Sequence, residues 1–283
     1  MSSRILEAEP LIRLWISLGL FAALAVGEAV LPRRRRSVSR LQRWPGNLGV
    51  TILDALFARI VLPASAVGFG VFAESRGWGL FNLVALPAWL EVMLAVVLLD
   101  LAIYGQHVLF HFVPVLWRVH RMHHADVDVD VTTGVRFHPL EILLSFGLKF
   151  GVVAAVGASP LSVLLFEVLL NATSLFNHSN LRLRPRAERL LRCLVVTPDM
   201  HRVHHSIIVR ETNSNFGFNL PWWDRLFRTY RPQPEAGHDA MTLGIDLFRD
   251  PKERRLDRML TQPFREDGRA SAGAGKSPPS RDE

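Results

Sequence analysis

Apolar residues along this chain gather in five windows long enough to cross a bilayer, at about 11–31, 48–72, 84–103, 140–158 and 161–175. Short polar or basic segments separate them. Glycine and proline interrupt the second and third windows, which membrane helices tolerate better than soluble ones. The last two are short and joined by the tight turn Gly157-Ala158-Ser159-Pro160, so they predict a hairpin that is either fully or partly inserted. A cleavable leader would carry its basic residues ahead of the apolar run, whereas Arg33 to Arg36 follow the first window, so that window is read as a retained helix. The pattern predicts an all-α integral membrane protein of four to five membrane helices with a cytoplasmic helical cap.

Charge sets the orientation. The segment 32–46 holds six arginines, while the segments around Arg76 and Ser159 hold one and none, so the basic side is expected to be cytoplasmic. Threading the five windows from that side brings 107, 178 and every histidine-rich segment to the cytoplasmic face. Residues 181–196 alternate arginines with leucines and read as a helix lying flat on an anionic leaflet or as an ordinary solvated amphipathic helix. From 264 onward small residues, proline and mixed charge predict a disordered tail.

Nine of the 11 histidines stand in four short segments: His107 and His111 in HVLFH, His120, His123 and His124 in HRMHH, His178 in FNHSN, and His201, His204 and His205 in HRVHH. On a helix, positions i, i+3 and i+4 share a face, so each segment predicts a preformed arm of two or three imidazoles. One metal rarely uses more than five or six protein ligands, so nine converging imidazoles argue for two ions. His138 in RFHPLE reads better as a helix cap than as a ligand, and His238 as neither. A lone Cys193 excludes a disulfide framework and a thiolate zinc site, leaving nitrogen and oxygen donors. The formal net charge of +7 does not indicate a nucleic-acid binder, because no aromatic and basic recognition surface accompanies it.

HxxxH, HxxHH and a later HxxHH behind a threonine-proline turn resemble the fatty acid hydroxylase/sterol desaturase superfamily. The likeness extends to Asp100 and Tyr104, to RFHPLE at Arg136–Glu141, to TPDMHRVHH at Thr197–His205 and to NSNFGFNLPWWDRLFRTY at Asn213–Tyr230, covering about 98–230. The resemblance implies a dinuclear iron site that activates O2 to hydroxylate or desaturate a fatty acyl, sterol, ether-lipid or carotenoid substrate; zinc could occupy it in purified protein. His107, His111, His120, His123, His124, His201, His204 and His205 would be ligands. His178 matches a weaker box whose partner position is Ser174, which leaves water or a carboxylate to complete one shell.

Carboxylates behind the ligands should hold the imidazoles by their remaining N–H, and Asp100, Asp199 and Asp224 are the expected ones, with Asp126 a further candidate. The acids of 126–130 otherwise read as a solvated loop. Trp222 and Trp223 read either as interface anchors or as packing residues. The expected division is 1–97 membrane helices, 98–230 histidine-box domain with a hairpin at 140–178, 231–263 C-terminal segment and 264–283 tail. No reductase motif is present, so a separate electron donor is expected beside a bilayer lipid substrate and no nucleic acid. A bacterial inner membrane is the expected location. A metal-binding membrane protein without oxidase activity, such as a transporter, is the reading from another class, but transporters hold polar ligands at mid-membrane rather than at helix ends.

Overall fold

The computed structural model describes residues 3–62 and 64–266, and all secondary structure in them is helical apart from two isolated bridges, Pro32 with Leu181 and Ser206 with Leu243. The long elements are α1 (Ser3–Val30), α2 (Arg40–Val61), α3 (Ala66–Ser75), α4 (Ala88–Phe112), α5 (Pro114–His124), α6 (Pro139–Val156) and α7 (Pro160–His178). A cap follows, containing α8 (Pro185–Leu191), α9 (Pro198–His204) and four shorter helices, α10 (Val209–Thr212), α11 (Trp222–Leu226), α12 (Gly237–Ala240) and α13 (Leu256–Thr261).

Five stretches of the described residues are long and apolar enough to span a membrane: Ala8–Val30, Arg40–Ser75, Ala88–Phe112, Pro139–Val156 and Pro160–His178. They match the five expected windows, with two shifts. The second begins at Arg40 rather than near 48 and comprises two helices, α2 ending at Val61 and α3 beginning at Ala66. The third starts after Pro87 and runs on to Phe112, carrying HxxxH within the spanning helix, because nothing between 103 and 112 breaks a helix before Pro114 does. Side chains such as Leu14, Trp15, Leu18, Ile60 and Trp89 project outward, where lipid rather than water is the matching solvent. α7 is the central helix: over half of its apolar window is buried, 56% against 6% for α1.

Polar clasps fix the cap to the ends of these helices. Glu28, near the end of α1, accepts from the backbone N–H of Val131 and of Asn180, and Leu31 accepts from Arg182 N. The basic segment after α1 therefore lies against the same end of the bundle as His178. Arg43 on α2 reaches the loop after α5, donating to Asp126 at 2.7 Å and to Asp130 at 2.8 Å, and Asn47 joins Asp126 and Thr132. This corrects the solvated-loop reading. Asp126 and Asp130 are buried on a guanidinium from a distant helix, and the Asp128 carboxylate accepts from the N–H groups of Ser37 and Val38, so Asp126 is not free to hold an imidazole.

The helix expected over 181–196 is shorter than expected. Only Pro185–Leu191 is helical, Arg192 is buried on Glu188 and the carbonyl of Pro232, and the segment folds back onto the cap. Phe264 closes a 3-10 turn whose neighbours Pro263 and Arg265 accept from Arg118, so the chain is still packed where the tail was expected to begin. The rest of that tail, from 267, lies outside the described residues.

Candidate metal centre

Four helices deliver their C-terminal turns to one point. His111 stands in the last turn of α4, His123 and His124 end α5, His178 ends α7, and His201 and His204 occupy α9, with His205 as its C-cap. Proline at the first position of α5, α7 and α9 starts each helix, and Thr197 caps α9 by accepting from Met200 N. The carbonyl end of a helix carries partial negative charge, so this convergence favours a cation before any ligand is counted.

The nine clustered histidines are all buried and form two groups whose ring nitrogens lie within 4.8 Å of one another: His107, His111, His120, His124 and His204 in one, His123, His178, His201 and His205 in the other. The expectation that each HxxHH acts as one arm is corrected. HRMHH gives His120 and His124 to the first group and His123 to the second, while HRVHH gives His201 and His205 to the second and His204 to the first. The reason is rotation: positions i and i+4 nearly eclipse, whereas i+3 sits roughly 100° from i+4 around the axis. Each motif thus bridges two adjacent sites, with the roles exchanged. Ser174, four residues before His178, has no imidazole, and its Oγ donates to Gly134 O, so the second group has four members.

Hydrogen bonds at Nδ1 decide which nitrogens face inward. His107 donates to Phe216 O at 2.7 Å, His123 to Arg136 O at 3.1 Å, His178 to Ser174 O at 2.7 Å and His204 to Ser214 O at 2.7 Å. His111 pairs with Asn213 Oδ1, and His120 with Glu141 Oε1 at 2.7 Å. An imidazole whose proton is used at Nδ1 carries a bare lone pair at Nε2. The Nε2 atoms of His107 and His120 nonetheless face each other at 3.2 Å, and those of His123 and His178 at 3.1 Å. Nε2 of His111, His124, His204 and His205 is buried with no hydrogen-bond partner among the described residues. Lone pairs aimed at lone pairs repel unless a cation sits among them. Protons do not serve, since burial first, and neighbouring imidazoles next, hold His123, His124, His201, His204 and His205 well below the usual histidine range. The donor set fits a metal site.

The acids expected to steady these rings are engaged elsewhere. Asp100 accepts from Trp223 Nε1 and Leu220 N, and Asp199 pairs with Arg33 and Arg202. Asp224 binds the N–H groups of Phe216 and Gly217 and the Thr229 hydroxyl, so it reaches His107 only by shaping the loop whose carbonyl that ring uses. Backbone carbonyls, Asn213 and Glu141 do the holding instead. Glu141 was visible as part of RFHPLE, but nothing local marked it as the partner of His120. His138 accepts from Leu140 N as the cap of α6, and His238 faces Asp199; neither belongs to a group. Trp223 packs inward on Asp100, whereas Trp222 donates to Cys193 O and stays half exposed.

A cavity of about 250 Å³ opens from His107 and His120 into the helix bundle, passing Phe110, Phe137, Ile142 and Phe218 and reaching Lys149 and Glu167. A second hollow, of about 350 Å³, reaches His111 from the cap side between Trp117 and Leu247.

The family model described as Fatty acid hydroxylase matches residues 92–229, the stretch that contains every clustered histidine. The chain is also 31% identical over 195 residues to ornithine lipid hydroxylase OlsE of Rhizobium tropici, covering 68% of this chain and 55% of that protein. The chain belongs to the fatty acid hydroxylase superfamily. It is also similar to alkylglycerol monooxygenase of Xenopus tropicalis, 29% identical over 214 residues (71% of this chain, 45% of that one), and to alkylglycerol monooxygenase of Homo sapiens, 25% identical over 181 residues (60% and 38%). The chain thus spans about half the length, or less, of these superfamily relatives. No solved structure matches it.

Proposed function

We propose that this chain is a membrane-embedded oxygenase that uses two iron ions and O2 to hydroxylate an unactivated C–H bond of a lipid. The observation that carries the proposal is the pair of nitrogen-lined groups with opposed lone pairs at 3.1–3.2 Å, the first of which opens through His107 and His120 into a cavity that runs between spanning helices. Its relatives are a lipid hydroxylase and monooxygenases, which supports hydroxylation. His107, His111, His120, His124 and His204 would hold one ion, and His123, His178, His201 and His205 the other. Bound there, the metal pair would supply the O2-derived oxidant that side chains cannot.

The chain's own residues bind and orient. Carbonyls of Phe216, Arg136, Ser174 and Ser214, with Asn213 and Glu141, fix His107, His123, His178, His204, His111 and His120 so that Nε2 points inward. Phe110, Phe137 and Phe218 give the cavity an apolar wall beside His107 and His120 on which the lipid chain would pack. Four imidazoles in the second group leave that ion room for a non-protein ligand. We assign catalysis to 98–230 and anchoring to 1–97, with the site on the cytoplasmic side by the arginine count and electrons from a separate donor. The test is to load purified protein with iron, supply membrane lipid extract, O2 and a reductant, and follow products by mass spectrometry. The expected result is an O2-dependent gain of one oxygen atom. Equal conversion by metal-free protein overturns the proposal.

A further inference from the structure

Three oxygens on the cavity wall have no donor. Asp54 on α2 is 7% exposed, its Oδ1 is buried without a partner, and its carboxylate makes no hydrogen bond among the described residues. Glu141 uses Oε1 on His120 and leaves Oε2 unpaired. Gln106 donates its amide to Ser145 Oγ, so its free atom is the acceptor Oε1. All three residues line the cavity that begins at His107 and His120.

The cations of the same cavity do not answer them. Lys149 is bound to Glu167 at 2.6 Å, and Arg13 to Glu167 and Glu9 at 2.9 and 2.8 Å. That cluster is also remote: Glu167 precedes His178 by three turns of α7, about 16 Å by helical rise. Asp54 lies near the histidine end instead, since Thr51, one turn before it, donates to Val135 O beside the Arg136 carbonyl that orients His123. A buried carboxylate without a partner is strongly unfavourable, so the wall is completed by a ligand that brings N–H or O–H groups. An anionic head would meet like charge from Asp54 and Glu141.

We propose that Asp54, Glu141 and Gln106 bind a hydrogen-bond-donating, non-anionic polar group, a hydroxyl or an ammonium, carried by the substrate close to the carbon that is oxidised. This rests on reading the cavity as the lipid site. It makes the substrate a polar lipid entering with its donor group beside the histidines, and it makes Asp54, which lies outside the family-matched segment, a determinant of specificity.

The experiment uses the full chain loaded with redox-inert zinc in detergent micelles. Titration calorimetry compares dodecylamine, dodecanol, methyl dodecyl ether and dodecanoate, which share a chain and differ in the head. The amine and the alcohol should bind about tenfold tighter than the methyl ether, the worth of one such hydrogen bond, with dodecanoate weakest. Asp54→Asn should cost the amine about tenfold and the alcohol about threefold or less. Equal binding of the methyl ether or dodecanoate, absence of binding by all four, or an unchanged amine affinity in Asp54→Asn overturns the proposal. If that variant does not fold, the wild-type ranking decides alone. Head-group discrimination without O2-dependent oxidation by the iron-loaded protein would uphold this site and overturn the oxygenase reading.

Discussion

Glu141 gives the sharpest test of how the imidazoles are held. It is buried, and its Oε1 accepts the Nδ1 proton of His120 at 2.7 Å, which commits the other nitrogen of that ring to the metal site. Glu141→Ala removes the acceptor without touching a ligand. The ring then gains nothing by keeping its proton at Nδ1, and the tautomer protonated at Nε2 has no lone pair on the nitrogen that faces the site. Losing such an outer partner costs about 10- to 100-fold in metal affinity, or about 1.4–2.8 kcal/mol. Only the ion held by His107, His111, His120, His124 and His204 should weaken, because no ring of the other group uses Glu141. Competition of zinc between the protein and a chromophoric chelator resolves the two sites, and Glu141→Gln, which retains an acceptor oxygen, should recover most of the loss. Unchanged affinity at both sites, equal weakening of both, or a Gln variant as poor as the Ala variant would refute the reasoning.

Three further outcomes follow from the same geometry. His124→Ala and His178→Ala should each weaken one ion and spare the other, seen as loss of one equivalent in a metal titration; simultaneous loss of both in either variant contradicts the division into two groups. Metal-free protein should lose thermal stability as pH falls below about 6.5. Its buried His123, His124, His201, His204 and His205 have folded pKa values lowered below the unfolded one, so the unfolded chain binds more protons there; above that pH their contribution is flat, and bound metal should suppress the acid loss. Arg43→Met should destabilise the fold by about 3–5 kcal/mol in a denaturant titration, because it leaves Asp126 and Asp130 buried without their cation.

The spans were legible because hydropathy is local, and their number followed from it. The start of the second was not, since Arg43 and Asn47 look like loop residues until the acids of the loop after α5 are folded against them. Histidine spacing marked the nine rings that the fold brings together, and Ser174 in place of a partner for His178 is consistent with the second group having four members. The roughly 100° between i+3 and i+4 splits each HxxHH, but which rings of α5 and α9 share a group depends on how the helices are brought together, which no spacing encodes. The proton acceptors were hidden for another reason: most are backbone carbonyls, and residue identity carries no signal for those. Asp100 and Asp224 look like ligand-orienting acids by position but secure the loop at Phe216–Trp223 instead.

The most direct test of the account is the metal content and coordination of protein reconstituted with iron, by elemental analysis and X-ray absorption on one sample. The wild-type chain should hold close to two irons in a shell of nitrogen and oxygen without sulfur, falling to about one in His124→Ala. A single iron per wild-type chain, or two irons undiminished in both His124→Ala and His178→Ala, would contradict it.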